Sequence, residues 1–156
     1  MERQIVEVLV VLMREYPDGV ITKEEFDGLS KDLMDVGYST QEIETAFFWY
    51  QNRQLLRQDP TIAGEFKSGA FRVLHEVERT ILKPDAYGYL IELKRLGLIT
   101  LREMDAIVEK SVLLGGRQVD IEDIKIFVAA QIMEHDINMT TPGLNYYMKI
   151  PANRIQ

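Results

Sequence analysis

One short pattern occurs four times in this chain and constrains its fold more than any other feature. An apolar residue precedes a Ser, Thr or Asp, two free positions follow, and then come an acid and a second apolar residue. The copies are Ile21-Thr22 with Glu25-Phe26, Tyr38-Ser39 with Glu42-Ile43, Ile99-Thr100 with Glu103-Met104, and Val119-Asp120 with Asp123-Ile124. Each copy reads as a helix start. The hydroxyl or carboxylate oxygen accepts from an orphan backbone N–H, and the acid three residues on reaches back to the cap's own N–H and suits the positive end of the helix dipole. The flanking apolar pair staples the entering chain to the first turn. In the fourth copy Asp stands where Glu or Gln is usual, so that cap is expected to be the weakest. Four such starts in 156 residues imply a mostly helical protein.

Periodicity fills in the helices between these starts. Ile5, Val8, Leu9 and Leu12 form an inward stripe over residues 2–16, which Pro17-Asp18-Gly19 closes. The second helix begins at Thr22, carries Phe26, Leu29, Leu33 and Val36 on one side, and stops at Gly37 in a left-handed turn. The third begins at Ser39 and buries Ile43, Ala46, Phe47 and Tyr50. Between residues 53 and 74 the helical signal drops, with Pro60, Gly64 and Gly69 as punctuation, and residues 54–57 and 71–74 are expected to pair as a hairpin. A short helix follows from His75 to Leu82. The next has Pro84 in its first turn and ends at Gly97, another runs from Leu101 to Leu114 before Gly115-Gly116, and a last one runs from Ile121 to His135, apolar on nearly every side. The reading is an all-α chain of six to seven helices with at most a small β-hairpin near residues 54–74. It divides into a three-helix unit over 1–52, a loop or hairpin over 53–74, a helical unit over 75–135 packed on the first, and an irregular tail over 136–156. The segment 33–44 repeats the helix, glycine and capped-helix grammar of 93–105; shared punctuation explains this without a duplication.

Composition narrows the function classes. Lys and Arg number 18 against 25 Asp and Glu, a net charge of −7, which disfavours non-specific contact with nucleic acid or anionic membrane and favours protein partners. Cysteine is absent, so disulfides, thiolate metal ligands and a cysteine nucleophile are excluded, in keeping with a cytoplasmic location. The apolar run from Ile5 to Met13 is broken by Glu7 and too short to span a bilayer. The two histidines, His75 and His135, lie in no metal-ligand spacing and read as capping or surface residues. Gly115-Gly116 lacks the Lys-Ser/Thr of a phosphate loop, and no Gly-x-Ser-x-Gly elbow occurs. No catalytic, cofactor or metal residue is assigned, and a non-enzymatic role is expected.

The run Phe47-Phe48-Trp49-Tyr50 is the strongest candidate for a contact surface. Successive helical residues lie about 100° apart, so four aromatics in a row encircle the helix. Either that helix is buried between two neighbours, the commoner fate of large apolar side chains, or Phe48 and Trp49 meet a protein partner, where Trp and Tyr tend to dominate binding. Phe48, Trp49, Arg53 and Arg57 are the expected partner-binding residues. A second reading makes the N-terminal half a winged helix that contacts nucleic acid through Arg53, Arg57, Lys67 and Arg72. Against it, the outward face of the would-be recognition helix carries Glu42 and Glu44, and the basic residues of 53–83 outnumber the acids by only two. The Gly37-Tyr38-Ser39 turn is also similar to the loop of small three-helix protein-binding modules such as ubiquitin-associated domains.

The order of these segments resembles the bacterial Smg family, proteins of unknown function. The resemblance runs from Ile5 to about Met133. It is carried by Asp32-Leu33, Gly37-Tyr38, Glu42-Ile43 and Ala46-Phe47-Phe48-Trp49, then Arg72-Val73, Glu78, Leu82, Gly88-Tyr89-Leu90 and Leu93, then Arg102-Glu103, and finally Val119 and Glu122-Asp123-Ile124-Lys125. The chain departs from the family at Leu74-His75-Glu76-Val77, where the family tends to an aromatic-Thr-Pro-Glu run, and at Ile126, where it tends to Trp. The resemblance implies a mainly helical cytoplasmic protein and assigns no catalytic residue.

Overall fold

The computed structural model describes residues 1–67, 73–114 and 117–140. Among the described residues eight helices occur in the order α1 (Glu2–Glu15), α2 (Lys23–Val36), α3 (Thr40–Gln58), α4 (Ala63–Lys67), α5 (Glu76–Ile81), α6 (Pro84–Arg95), α7 (Leu101–Leu114) and α8 (Ile121–Thr140). Among the described residues there is no strand. An isolated parallel bridge pairs Leu82 with Val119; in it the Val119 N–H donates to the Ile81 carbonyl at 2.7 Å and the Lys83 N–H to the Val119 carbonyl at 3.1 Å. It ties the α5–α6 junction to the chain entering α8.

All four capping patterns form. The Glu25, Glu42 and Glu103 N–H groups each donate to the Thr22, Ser39 and Thr100 hydroxyls at 3.1 Å, and the three glutamates accept from the cap N–H groups at 2.9–3.0 Å. At the fourth, the Asp123 N–H donates to Asp120 at 2.9 Å and the Asp120 N–H to Asp123 at 3.1 Å. Asp123 is further held by a two-pronged contact from Arg117, 2.8 Å on each arm. His75, expected at a helix start and as a capping or surface residue, repeats one half of the pattern: its N–H donates to Glu78 at 2.9 Å at the start of α5. Gly37 ends α2 with φ +123°, its N–H reaching the Leu33 and Met34 carbonyls, a conformation that residues with a Cβ rarely adopt.

The core is built around α1. Ile5, Val6, Val8, Leu9, Val10, Leu12 and Met13 are all buried, and α1 packs most extensively on α3 and α8. Helix α8 also contacts α6 and α7, while α2 lies against α3. One apolar cluster joins Leu9, Ile43, Tyr50, Leu90, Ile107 and Val128, so residues from α1, α3, α6, α7 and α8 share it.

The middle of the chain departs from the sequence reading. Residues 54–57, expected as a hairpin strand, are the last full turn of α3, which runs on to Gln58. Gln54 and Arg53 carry the inward stripe onward, and the helical pattern is hidden there because the inward positions are polar. Residues 71 and 72 of the expected partner strand lie outside the described residues, and Val73 and Leu74 form no strand. The hairpin and the winged-helix arrangement built on it are therefore not supported. The last helix continues past His135 to Thr140, taking in the start of the expected tail; residues 141–156 and the Gly115-Gly116 stop lie outside the described residues.

Candidate functional site

Helix α3 begins at a firm cap and carries Ile43, Ala46, Tyr50 and Arg53 down one side, so the aromatic run is threaded through the core. Trp49 and Tyr50 are buried. Phe47 meets Phe26 of α2 in a tilted pair with ring centroids 4.2 Å apart and stacks on Tyr50 at 6.0 Å. Phe48 is half-buried against the same cluster. Arg53 is 0% exposed and pairs with Glu103, 3% exposed, at 2.8 Å. The same Arg53 nitrogen approaches the Leu98 carbonyl at 3.4 Å. Arg57 is half-buried, donates to the Pro17 carbonyl at 3.1 Å and to Gln54, and lies across Gly97, where a Cβ would come within 3.0 Å of the guanidinium carbon. Of the four expected contact residues, the structure brings Arg53 and Trp49 inside and leaves part of Phe48 and Arg57 at the surface. Of the other two cations of the nucleic-acid reading, Lys67 ends α4 and Arg72 lies outside the described residues.

A second polar group sits where α1, α8 and the α2–α3 turn meet. The Tyr38 hydroxyl donates to Glu7 at 2.7 Å, and Lys125 donates to Glu7 at 2.8 Å and to Glu122 at 2.9 Å. Burial alone would raise the Glu7 carboxyl, but the bonds from Lys125 and Tyr38 outweigh it and hold the group below its usual range. Burial would likewise lower Lys125, and the two carboxylates reverse the sign and raise it. Tyr38 is pushed up to about 12, first by burial and then by its bond to Glu7. The cluster holds three segments together in fixed ionisation states at neutral pH.

The apolar surface left facing solvent gathers elsewhere. Helices α5 and α7 pack against each other, and between them lies a cleft of about 570 Å³ lined by His75, Val77, Glu78, Asp105, Glu109, Val112 and Leu113. The spacing Asp105, Glu109, Val112, Leu113 is one face of α7, and α5 contributes Val77 and Glu78 from its first turn. Val77 is 61% and Leu113 79% exposed, high values for aliphatic side chains bordering a concave surface. Glu78 is buried and fixed by its bond to the His75 N–H, whereas Asp105 and Glu109 are exposed. The solvent-facing rim thus joins two acids, Asp105 and Glu109, to two exposed aliphatics. Sequence reasoning missed this cleft because its two walls are separated by some thirty residues, and Val77 and Leu113 each read as ordinary helical apolar positions. The sequence signal that pointed nearest to it was the departure from the family pattern at Leu74-His75-Glu76-Val77.

No described group of three or more His, Asp or Glu side chains is arranged to hold a metal ion. No helix of the described residues is long and apolar enough to cross a membrane.

Comparison with known proteins places the whole helical body in one family. Residues 5–142 match the family model described as "Protein of unknown function (DUF494)". Among similar proteins, the "Protein Smg homolog" of Xylella fastidiosa (strain M23) is 28% identical over 126 residues, covering 80% of this chain and 79% of that relative. The "Protein Smg homolog" of Stenotrophomonas maltophilia (strain K279a) is 28% identical over 127 residues with the same coverage, and that of Xanthomonas campestris pv. campestris (strain B100) is 27% identical over 127 residues, again with that coverage. No solved structure matches.

Proposed function

This chain belongs to the DUF494 family, with Smg homologues among its relatives, and on that premise we propose that it is a non-enzymatic protein-interaction module of the cytoplasm whose contact surface is the α5–α7 cleft. The observation that carries the reading is that highly exposed Val77 and Leu113 border one concavity, with exposed Asp105 and Glu109 at its rim. Apolar anchors in a pocket with a charged rim are the usual anatomy of a protein contact. The ionisable groups that the fold perturbs most specifically, Glu7, Tyr38, Lys125 and Asp123, are engaged in joining helices and capping α8, which supports a binding role over acid–base chemistry. The cleft takes the place of the α3 aromatics in this proposal, since Trp49→Ala would report on the core. The partner is a protein segment with Lys or Arg beside aliphatic or aromatic residues.

The test is recovery of partners from bacterial lysate on the tagged protein, with and without nuclease, next to a Val77→Asp/Leu113→Asp variant. Both positions are exposed, so circular dichroism of the variant is expected to match the parent. A near-stoichiometric protein that survives nuclease and is lost from the variant is the expected result. A partner retained by the variant removes the cleft assignment, and one that leaves with nuclease moves the reading to nucleic acid.

A further inference from the structure

Helix α2 buries Leu33 and half-buries Phe26, Leu29 and Ser30, and the rest of the helix is exposed. Its main neighbour is α3, where Phe26 meets Phe47. The middle of that inward stripe is flawed. The Ser30 hydroxyl is buried and has no hydrogen-bond partner, so docking α2 desolvates a polar group without compensation. The chain on either side of α2 is, by contrast, fastened to other elements. Before it, the Tyr16 carbonyl accepts from the Tyr50 hydroxyl at 2.6 Å and the Pro17 carbonyl from Arg57 at 3.1 Å. After it, the Tyr38 hydroxyl donates to Glu7 of α1 at 2.7 Å. We propose that α2 is a strap: residues 18–37 detach from α3 as one unit between these two pins, lifting Phe26 off Phe47 while the pins and the rest of the core stay closed.

The balance of terms at α2 favours such an opening. What holds the strap down is the burial of Leu33 and the aromatic pair of Phe26 with Phe47. What opposes it is the ordering of a fourteen-residue helix, a length that is marginal by itself in water even with good caps, and the unpartnered Ser30 hydroxyl. Neither pin draws on a side chain of α2, so neither is lost when the strap lifts. Helix α1 cannot behave this way, since its seven buried residues leave only if the core opens. Local openings of this kind lie well below global unfolding in free energy. Phe47 belongs to the aromatic run that the sequence marks as a contact surface. Its accessibility is then governed by the position of α2. No residue of the strap lines the α5–α7 cleft, so the device is independent of the reading of that cleft.

The absence of cysteine from the sequence makes the test direct. Ser30→Cys places a thiol at the buried face of the strap in the full-length protein, with little change of shape. Val8→Cys in α1 and Val128→Cys in α8, both 0% exposed in the parent, place one in the core. The rate of reaction with a nitrobenzoate disulfide reagent then reports how often each thiol is uncovered. Ser30→Cys is expected to react at least about a hundredfold faster than either core thiol, and its rate to stay nearly flat in low urea while theirs climb. Adding Phe26→Ala is expected to speed the Ser30→Cys reaction about tenfold, because the aromatic pair is broken in the open state. Adding Tyr38→Phe is expected to leave that rate within about twofold while speeding Val8→Cys, because the pin to Glu7 survives strap opening and is lost only in global unfolding. Three outcomes overturn the proposal. Equal rates at Ser30→Cys and the core thiols mean that α2 opens only with the molecule. A rate that ignores Phe26→Ala means that the thiol is reached without detachment. A rise with Tyr38→Phe as large as that with Phe26→Ala means that the pin opens too.

Discussion

Helices α1 and α2 are both fourteen residues long, and they are held to the molecule by opposite means. Helix α1 has no side-chain cap at its N-terminus, yet seven of its residues are buried and the Tyr50 hydroxyl donates to the carbonyl of Tyr16, just past its end, at 2.6 Å. Helix α2 has a complete capping box and a glycine stop, but buries only Leu33; Phe26 and Leu29 are half-buried. Val36 is 76% exposed, although it shares the apolar spacing of its neighbours. The difference separates two sources of helix stability. Local signals fix where a helix begins and ends, while tertiary burial fixes how strongly it belongs to the fold. A helix that depends on its caps is free to open by itself, whereas one that depends on the core opens with the whole molecule.

The contrast is sharpest at the apolar positions. Leu9→Ala is expected to cost roughly 3 to 5 kcal/mol, because its cavity lies among α1, α3 and α8 and cannot collapse, while Leu33→Ala at the edge should cost about 2 kcal/mol. Urea unfolding of both variants measures the gap, and equal losses would break the comparison. Next in size is the tether from the α2–α3 turn to α1. Tyr38 is raised to about 12 in the folded protein from an unfolded value near 10. Its contribution is fully present below pH 10 and is lost as pH rises towards 12. Discounted for partial exposure, that loss is on the order of 1 to 2 kcal/mol. Tyr38→Phe should remove this share of the alkaline sensitivity, seen as a shallower fall of the urea midpoint over that window. Glu7 has the opposite sign: with its carboxyl held low, its contribution is present at neutral pH and is lost as pH falls through that lowered value.

Smaller again is the cap itself. Thr22→Ala is expected to cost about 1 kcal/mol, and amide exchange should show most of it as faster opening of α2, with α1 amides little changed. Uniform acceleration across both helices would mean that α2 does not open alone. The smallest effect is expected at Val36→Ser, within about 0.5 kcal/mol because the side chain is already in water. A larger loss by thermal melting would show that α2 is covered in solution.

Helix boundaries were legible in the sequence because they are written in local chemistry. Thr22, Ser39, Thr100 and Asp120 each sit one residue before the helix they start, and Gly37 stops α2 with a positive φ as expected. What a helix buries was less legible, since burial is a property of neighbours. Trp49 turned inward where Phe47 had been expected to lead, and the end of α3 was missed because Arg53 and Gln54, its inward residues there, are polar. Helix α8, apolar on nearly every side, packs on α1, α6 and α7 yet leaves Ile126 and Met133 exposed. His75 stands at the helix start expected of it, and although its side chain is not one of the usual caps, the bond from its N–H to Glu78 supplies one half of the capping pattern. Of the α5–α7 cleft the sequence carried only the family departure at Leu74-His75-Glu76-Val77, because nothing local joins Val77 to Leu113.

The union of Arg53 and Glu103 bears on which arrangements of these helices can compete with the native one. Glu103 satisfies the first turn of its own helix and the guanidinium of another with the same oxygen. Shifting α7 by one turn along its own axis would carry that oxygen about 5.4 Å away and break an ion pair in an apolar interior, at a penalty of several kcal/mol. Leucines and isoleucines would tolerate such a slip far more readily, since one aliphatic contact resembles the next. The pair therefore works as a register mark between two helices that are not packed extensively on one another: it makes near-miss placements of α7 costly, and so narrows the ways in which a chain of capped helices can close.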